Sequence, residues 1–151
     1  SVDARRRLVF IAAIHWPVEY KLHKQAAKDG EEAVRYSSMS PLNTPEKHGL
    51  LTAIDLDSGE IVWQVKTENP LIGGVLSTAS GLVFTGEGSG ELMAFDADSG
   101  EKRWSGKTEA GVNAPPITYS VNGKQHIAVA VGGNRLFGFK TGQKIKVWRL
   151  P

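Results

Sequence analysis

The stretch "GLLTAIDLDSGEIVW", Gly49 to Trp63, returns as "GELMAFDADSGEKRW", Gly90 to Trp104, 41 residues later (49 to 90). Identities fall at Gly, Leu, Ala, both Asp, Ser, Gly, Glu and Trp. Self-similarity with a period of about 40 residues marks stacked or radial repeats. "LLTAID" and "ELMAFD" are short, β-prone and roughly alternating, so each reads as a strand with one buried face. "DLDSGE" and "DADSGE" read as turns, in which Asp and Ser accept from nearby amides and Gly takes a positive φ. "IVWQVK" and "KRWSGK" return as antiparallel partners. Their tryptophans, Trp63 and Trp104, are large flat side chains suited to wedging between adjacent sheets.

The unit extends upstream of the second copy. In "GVLSTASGLVFTGEGSG", Thr78 to Gly81 makes a turn, "LVFTG" a buried strand and "EGSG" a second turn. Four short strands over residues 73–106 amount to one propeller blade. A second blade is expected over 110–151, where Asn122-Gly123 is the strongest hairpin signal in the chain and "HIAVAVG" an apolar inner strand. A third is expected in two pieces, an inner strand at 8–14 and an outer hairpin at 49–66. The insertion between them, 15–48, is charged, weakly helix-prone, then turn-rich, and reads as a long loop on one face; such loops are functional or disordered.

At 151 residues, 40% hydrophobic and 23% charged, the chain suits one ordinary globular domain. A net charge of +2 does not suggest a nucleic-acid surface, and the run Arg5-Arg6-Arg7 reads as a solvated terminus. The absence of cysteine excludes disulfides, thiolate zinc sites and covalent haem attachment within these residues. No apolar run approaches the roughly 20 residues that span a bilayer as a helix. "SVDARRRLVF" lacks Met and does not resemble a signal peptide, so Ser1 reads as a processed end, a cleavage point or an experimental boundary.

The number of blades has an energetic consequence. A propeller ring closes with about four to eight blades, and the sequence supplies about three. Five side chains such as Trp, Val and Ile left without a neighbour on each flank, at roughly 1.5–3 kcal/mol apiece, match or exceed the roughly 5–15 kcal/mol that holds a domain folded. The expectation is an all-β propeller segment of about three four-stranded antiparallel blades, part of a larger ring completed by a larger polypeptide that supplies the remaining blades, with a ring of identical copies as the alternative.

The run from Gly73 to Trp104, followed by "GVNAPPITYSVNGKQHIAVAVGGN" and "FGFKTG", resembles the C-terminal part of PQQ-dependent alcohol and methanol dehydrogenases. That family's tryptophan-docking motif, A-x-D-x-x-[ST]-G-x-x-x-W, is matched at Ala53 to Trp63 and Ala94 to Trp104. The resemblance implies an eight-bladed periplasmic or otherwise extracytoplasmic quinoprotein. Such an enzyme oxidises an alcohol or sugar by hydride transfer to pyrroloquinoline quinone (PQQ), with calcium or a lanthanide polarising the cofactor and a cytochrome c or other acceptor downstream. The family's metal ligands and catalytic Asp belong to earlier blades and map to no residue here, so no catalytic or metal-binding residue is expected in this chain.

Three positions are placed near the cofactor by the resemblance: Gly133 and Asn134, after an inner strand, and Ile72, where methanol dehydrogenases carry Trp before a Gly-Gly. Gly132-Gly133-Asn134 reads equally as a plain β-turn. Ala13 stands where those enzymes have an inner-strand Asn, and with Ile72 it keeps open a cofactor-free scaffold for protein–protein interaction. His15 and Trp16 follow directly from the strand at 8–14 and are candidates for lining the substrate cavity. The remaining histidines have no metal spacing, and Asp55, Asp57, Asp96 and Asp98 read as turn caps.

Overall fold

The computed structural model describes residues 1–27, 32–42 and 46–150. The described residues hold strands and turns with no helix. The first sheet joins β1 (Val2–Asp3), β2 (Leu8–His15), β5 (His48–Asp55) and β6 (Ile61–Thr67) in that order. The second joins β7 (Val75–Ser77), β8 (Leu82–Glu87), β9 (Glu91–Asp96) and β10 (Lys102–Lys107), and the third β11 (Ile117–Val121), β12 (Lys124–Val131) and β13 (Lys144–Arg149). Every pairing is antiparallel.

The central sheet is buried on both faces, and its alternation decides which residue goes where. Val83, Met93 and Phe95 point to the first sheet, against Phe10, Leu51 and Ala53. Phe84, Leu92 and Ala94 point the other way, against Ile127, Val129 and Val131 of the third. Two cores result, one on each side of a sheet, rather than a single core. The outer flank of the third sheet has no cover: Ile117, Ile145 and Val147 are 58%, 75% and 47% exposed.

The turns follow from residue chemistry. Asp55 Oδ1 accepts the amides of Asp57 and Ser58 at 2.9 and 2.8 Å, and Asp96 Oδ1 those of Asp98 and Ser99 at 3.0 Å each. Asn122 (φ 50°) and Gly123 (φ 73°) close the β11–β12 hairpin with two positive φ angles, the conformation an Asn-Gly pair tolerates best. The repeat also runs beyond Trp63. Lys66-Thr67-Glu68 recurs as Lys107-Thr108-Glu109, and each Thr hydroxyl donates to the carbonyl two residues on, Asn69 at 2.9 Å and Ala110 at 2.6 Å.

Three expectations change. The insertion is a β-hairpin: β3 (Val18–Gln25) and β4 (Val34–Pro41) pair from Val18↔Pro41 to Gln25↔Val34. Charge in "VEYKLHKQ" resembled a weak helix, but its apolar residues fall at every second position, 18, 20 and 22, which is strand spacing. The expected turn residues Asn43 to Pro45 lie outside the described residues. The blade expected over 110–151 with four strands has three among the described residues, β11 to β13. Finally, the arginine run is a clamp rather than a frayed end. Arg6 donates to Asp3 at 3.0 Å and to Asp98, in the second sheet's turn, at 2.9 Å, while Arg7 Nε donates to Asp57 at 3.1 Å.

Candidate functional site

All the cofactor and cavity candidates lie on one rim of the stacked sheets. The connections leaving β2, β8 and β12 and those leaving β6 and β10 all fall at this end, because each pairing reverses the chain. The Asp-Ser-Gly turns occupy the opposite end. The rim therefore gathers His15 and Trp16, Ile72, and the Gly132–Asn134 turn from three different sheets.

His15 is exposed, and its ring stacks on His48 across the strand pair, centroids 4.3 Å apart. Trp16 is half-buried. Its Nε1 donates to the Leu42 carbonyl at 2.7 Å, its ring meets Phe137 at 5.5 Å, and Lys47 Nζ lies 5.1 Å from its centroid. Phe137 in turn stacks on Phe139 at 6.1 Å. The Phe139 ring covers Gly88 so closely that a Cβ there would lie 2.3 Å from it. Side chains from the first and third sheets thus meet across the rim of the second.

Gly133 has φ 65°, and a Cβ on it would fall 1.9 Å from the Lys140 carbonyl. Its amide already donates to the Gly111 carbonyl at 2.9 Å. Asn134 shapes its own turn: Oδ1 accepts the Leu136 amide at 3.0 Å and the Phe137 amide at 3.4 Å, and its carbonyl accepts from Phe139 at 2.8 Å. Both residues are engaged in local structure, while a Cβ on Gly132 would meet nothing within 4 Å. Ile72 is half-buried, before Gly73, whose Cβ position lies 3.2 Å from the Asn113 backbone.

Two residues that sequence reasoning missed stand beside these. Glu87, at the end of β8, is buried and accepts the Asn69 amide at 2.8 Å and the Ser89 hydroxyl at 2.5 Å. It ties the linker between the first two sheets to the second. Asn113 buries both polar atoms of its carboxamide with no hydrogen-bond partner. Unpartnered buried polar atoms are rare in folded proteins and call for a specific explanation. The signal for Glu87 was an acid closing an otherwise apolar strand; Asn113 carries none that spacing reveals.

Among the described residues no group of three or more His, Cys, Asp or Glu side chains is placed to hold a metal. The donor set is amide and backbone, set among aromatic rings. That fits the wall of a planar polar cofactor's pocket and does not fit a metal centre. The Asn113 carboxamide is the clearest vacant donor–acceptor pair, and Gly132 opens on free space.

Stacked antiparallel sheets, two of four strands and one of three, with a Trp-bearing outer hairpin repeated in the first two, define a segment of a quinoprotein-type β-propeller. The chain belongs to the PQQ_2 family, described as outer membrane protein assembly factor BamB, which matches residues 47–151. It is 38% identical over 125 residues to a quinoprotein ethanol dehydrogenase of Pseudomonas aeruginosa, covering 83% of this chain and 20% of that protein. Its fold matches a quinohemoprotein alcohol dehydrogenase from Pseudomonas putida HK5 with a TM-score of 0.73 at 32% identity, over 87% of this chain and 21% of the other. It also matches the quinohemoprotein alcohol dehydrogenase of Comamonas testosteroni with a TM-score of 0.74 at 29% identity, over 99% and 24%. The chain thus spans about a fifth of the length of the curated relatives it matches.

Proposed function

We propose that this chain serves as the C-terminal portion of a PQQ-dependent dehydrogenase that oxidises an alcohol, where it closes the propeller and walls the cofactor pocket. The carrying observation is convergence: Trp16, Ile72, Asn113 and the Gly132–Asn134 turn, from separate sheets, share one rim with an unpartnered buried amide among them. When bound, PQQ supplies the two-electron acceptor of the reaction. The rings of Trp16, Phe137 and Phe139 keep water from the rim. Asn113 offers an amide donor and a carbonyl acceptor to the cofactor's polar edge, and Gly132 permits close approach of the backbone.

The metal ligands, calcium or lanthanide, and the catalytic base come from the larger polypeptide that supplies the remaining blades. The bare flank at Ile117, Ile145 and Val147 supports such a partner. An extracytoplasmic setting follows from the same reading; no helix among the described residues is long and apolar enough to cross a membrane. An external electron acceptor, a cytochrome c or equivalent, would receive the electrons.

The test is reconstitution of the intact protein with PQQ and Ca²⁺ or a lanthanide, followed by dye-linked alcohol oxidation and mass spectrometry of the native complex. Oxidation with bound quinone supports the reading, and absence of activity with either metal overturns it. A cofactor-free interaction scaffold, the reading favoured by Ile72 and Ala13 in place of polar or aromatic contacts, predicts no quinone mass.

A further inference from the structure

The rung of the β2–β5 ladder nearest the rim pairs His15 with His48. The two imidazoles stack, with centroids 4.3 Å apart and planes inclined by 25°. The chain's other two histidines are placed differently. His23 stacks on Tyr36 and its Nε2 meets Ser38 Oγ at 2.8 Å, while His126 stacks on Tyr119. Among the described residues, this rung is where two imidazoles face each other. Sequence spacing hides the pair, because the whole β3–β4 hairpin lies between its members.

Each ring offers a ligand atom. His48 Nδ1 donates to the Glu46 carbonyl at 2.5 Å, which holds the proton on Nδ1 and leaves the Nε2 lone pair unused. A ring N–H engaged by a backbone carbonyl is the arrangement that orients metal-ligating histidines and makes them more basic. The His15 ring is exposed, and the stack is its contact among the described residues. Ligand nitrogens sit about 2.0–2.1 Å from a zinc-sized ion, so two imidazoles at adjacent coordination positions have ring centres roughly 4.5 Å apart. The pair already stands near that separation. Rotation of the rings about Cβ–Cγ turns both lone pairs toward one point without moving the strands.

We propose that His15 and His48 form a two-imidazole site for a divalent transition-metal ion, which bridges β2 and β5 at the base of the β3–β4 hairpin. Imidazole suits copper, nickel and zinc, whereas calcium and magnesium take oxygen ligands. For a given nitrogen site the affinity order places Cu²⁺ first. No third His, Asp or Glu side chain is grouped with the pair among the described residues, so water completes the coordination and the ion exchanges with solvent. The inference does not depend on a bound quinone.

The probe is Cu²⁺ added to the intact protein and read by electron paramagnetic resonance. The bound ion should show nitrogen hyperfine splitting from two imidazoles. His15→Phe, which keeps a ring stacked on His48, and His48→Gln should each reduce that splitting to one imidazole. Each should also weaken binding at least about tenfold, since even the loss of an outer-shell partner costs that much. His23→Gln and His126→Gln should change neither, and excess Ca²⁺ should displace nothing. The strand bridge has its own readout. The Leu42 amide donates to the Pro17 carbonyl at 3.0 Å, just beyond the histidine rung. With diamagnetic Zn²⁺ at about 100 times its dissociation constant, hydrogen exchange at Leu42 through openings that part the strands should slow about 100-fold. His15→Phe should abolish that slowing. A signal from one imidazole or none in the wild type, or a two-imidazole signal untouched by His15→Phe, overturns the site. Unchanged Leu42 exchange at saturating Zn²⁺ overturns the bridge between the strands.

Discussion

Trp63 and Trp104 occupy the same place in two copies of one repeat, yet they end in different surroundings. Trp63 Nε1 donates to the Ala97 carbonyl of the next sheet at 3.0 Å, and its ring lies over Gly100 in the next sheet's turn, where a Cβ would fall 2.7 Å from it. Phe10 backs it at 5.8 Å. Trp104 is 38% exposed, meets Trp148 edge-on at 5.6 Å, and its indole N–H bonds nothing among the described residues. Beside it runs a groove of about 250 Å³ lined by Leu82, Phe84, Ala94 and Trp148. The difference lies in the neighbour. The second sheet offers Trp63 a β9–β10 turn, with its carbonyl and its glycine, whereas the third sheet ends at β13 and offers Trp104 no such turn. The motif in the sequence specifies one half of a contact; the receiving turn specifies the other.

Removing each ring measures that difference most directly. Trp63→Ala should destabilise the protein by roughly 3 kcal/mol, the lower end for a large aromatic taken from a packed site, and Trp104→Ala by about 1 kcal/mol or less, as for partly exposed side chains. The check is urea unfolding of the intact protein followed by far-ultraviolet dichroism, comparing midpoints. Equal losses would show that Trp104 acquires, from the rest of the polypeptide, the receiving turn it lacks here. Trp63→Phe separates packing from hydrogen bonding and should cost about 1 kcal/mol for the lost N–H to Ala97.

The receiving side can be probed with a matched pair. Gly59 and Gly100 stand 41 residues apart (59 to 100) in equivalent turns, at φ 75° and 73°. A Cβ on Gly59 meets nothing within 4 Å, whereas one on Gly100 collides with the Trp63 ring. Both alanine variants carry the strain of a left-handed backbone, about 1–2 kcal/mol, and Gly100→Ala adds displacement of Trp63. The expectation is an extra loss of about 1 kcal/mol for Gly100→Ala, within the range for overpacking, that disappears in a Trp63→Ala background. If the two variants remain equal in wild type, Trp63 does not rest on Gly100 in solution.

These contrasts show what the sequence makes legible. Strands and turns of the repeat were readable because alternation and Asp-Ser-Gly spacing are local properties: each Asp caps amides two and three residues away. The β3–β4 hairpin was misread because charge hid a period-two apolar pattern of only three residues, Val18, Tyr20 and Leu22. The clamp of Arg6 on Asp98 spans 92 positions, and no spacing rule reaches that far. Site legibility divides along the same line. Gly133, Asn134, His15 and Trp16 follow strand ends, and Ile72 lies in the linker between β6 and β7 at the same end of the sheets. The surroundings of Asn113 and Glu87 and the stack of His15 on His48 exist only once separate segments pack.

The two sheet interfaces also differ in how they hold charge, and acid should reveal it. Between the first and second sheets Arg6 links Asp3, which is buried, to Asp98. Between the second and third, the ion pairs are the looser contacts of exposed Lys144 and half-buried Lys146 with Glu109, at 3.8 and 3.4 Å. The Arg6 backbone amide, then the Arg6 guanidinium, hold the Asp3 carboxyl below its ordinary value. A carboxyl whose folded pKa is depressed contributes fully above its unfolded value, and that contribution is lost as pH falls through the folded value. Hydrogen exchange at the Ala97 amide, which donates to the Gly81 carbonyl beside Arg6, reports on this junction. Its protection, corrected for intrinsic rate, should hold from neutral pH down to the carboxylate range and then fall. Amides of β12, behind the other interface, should lose less. Asp3→Asn should lower Ala97 protection at neutral pH and flatten its acid limb; an unchanged limb would mean that the clamp does not hold these two sheets together.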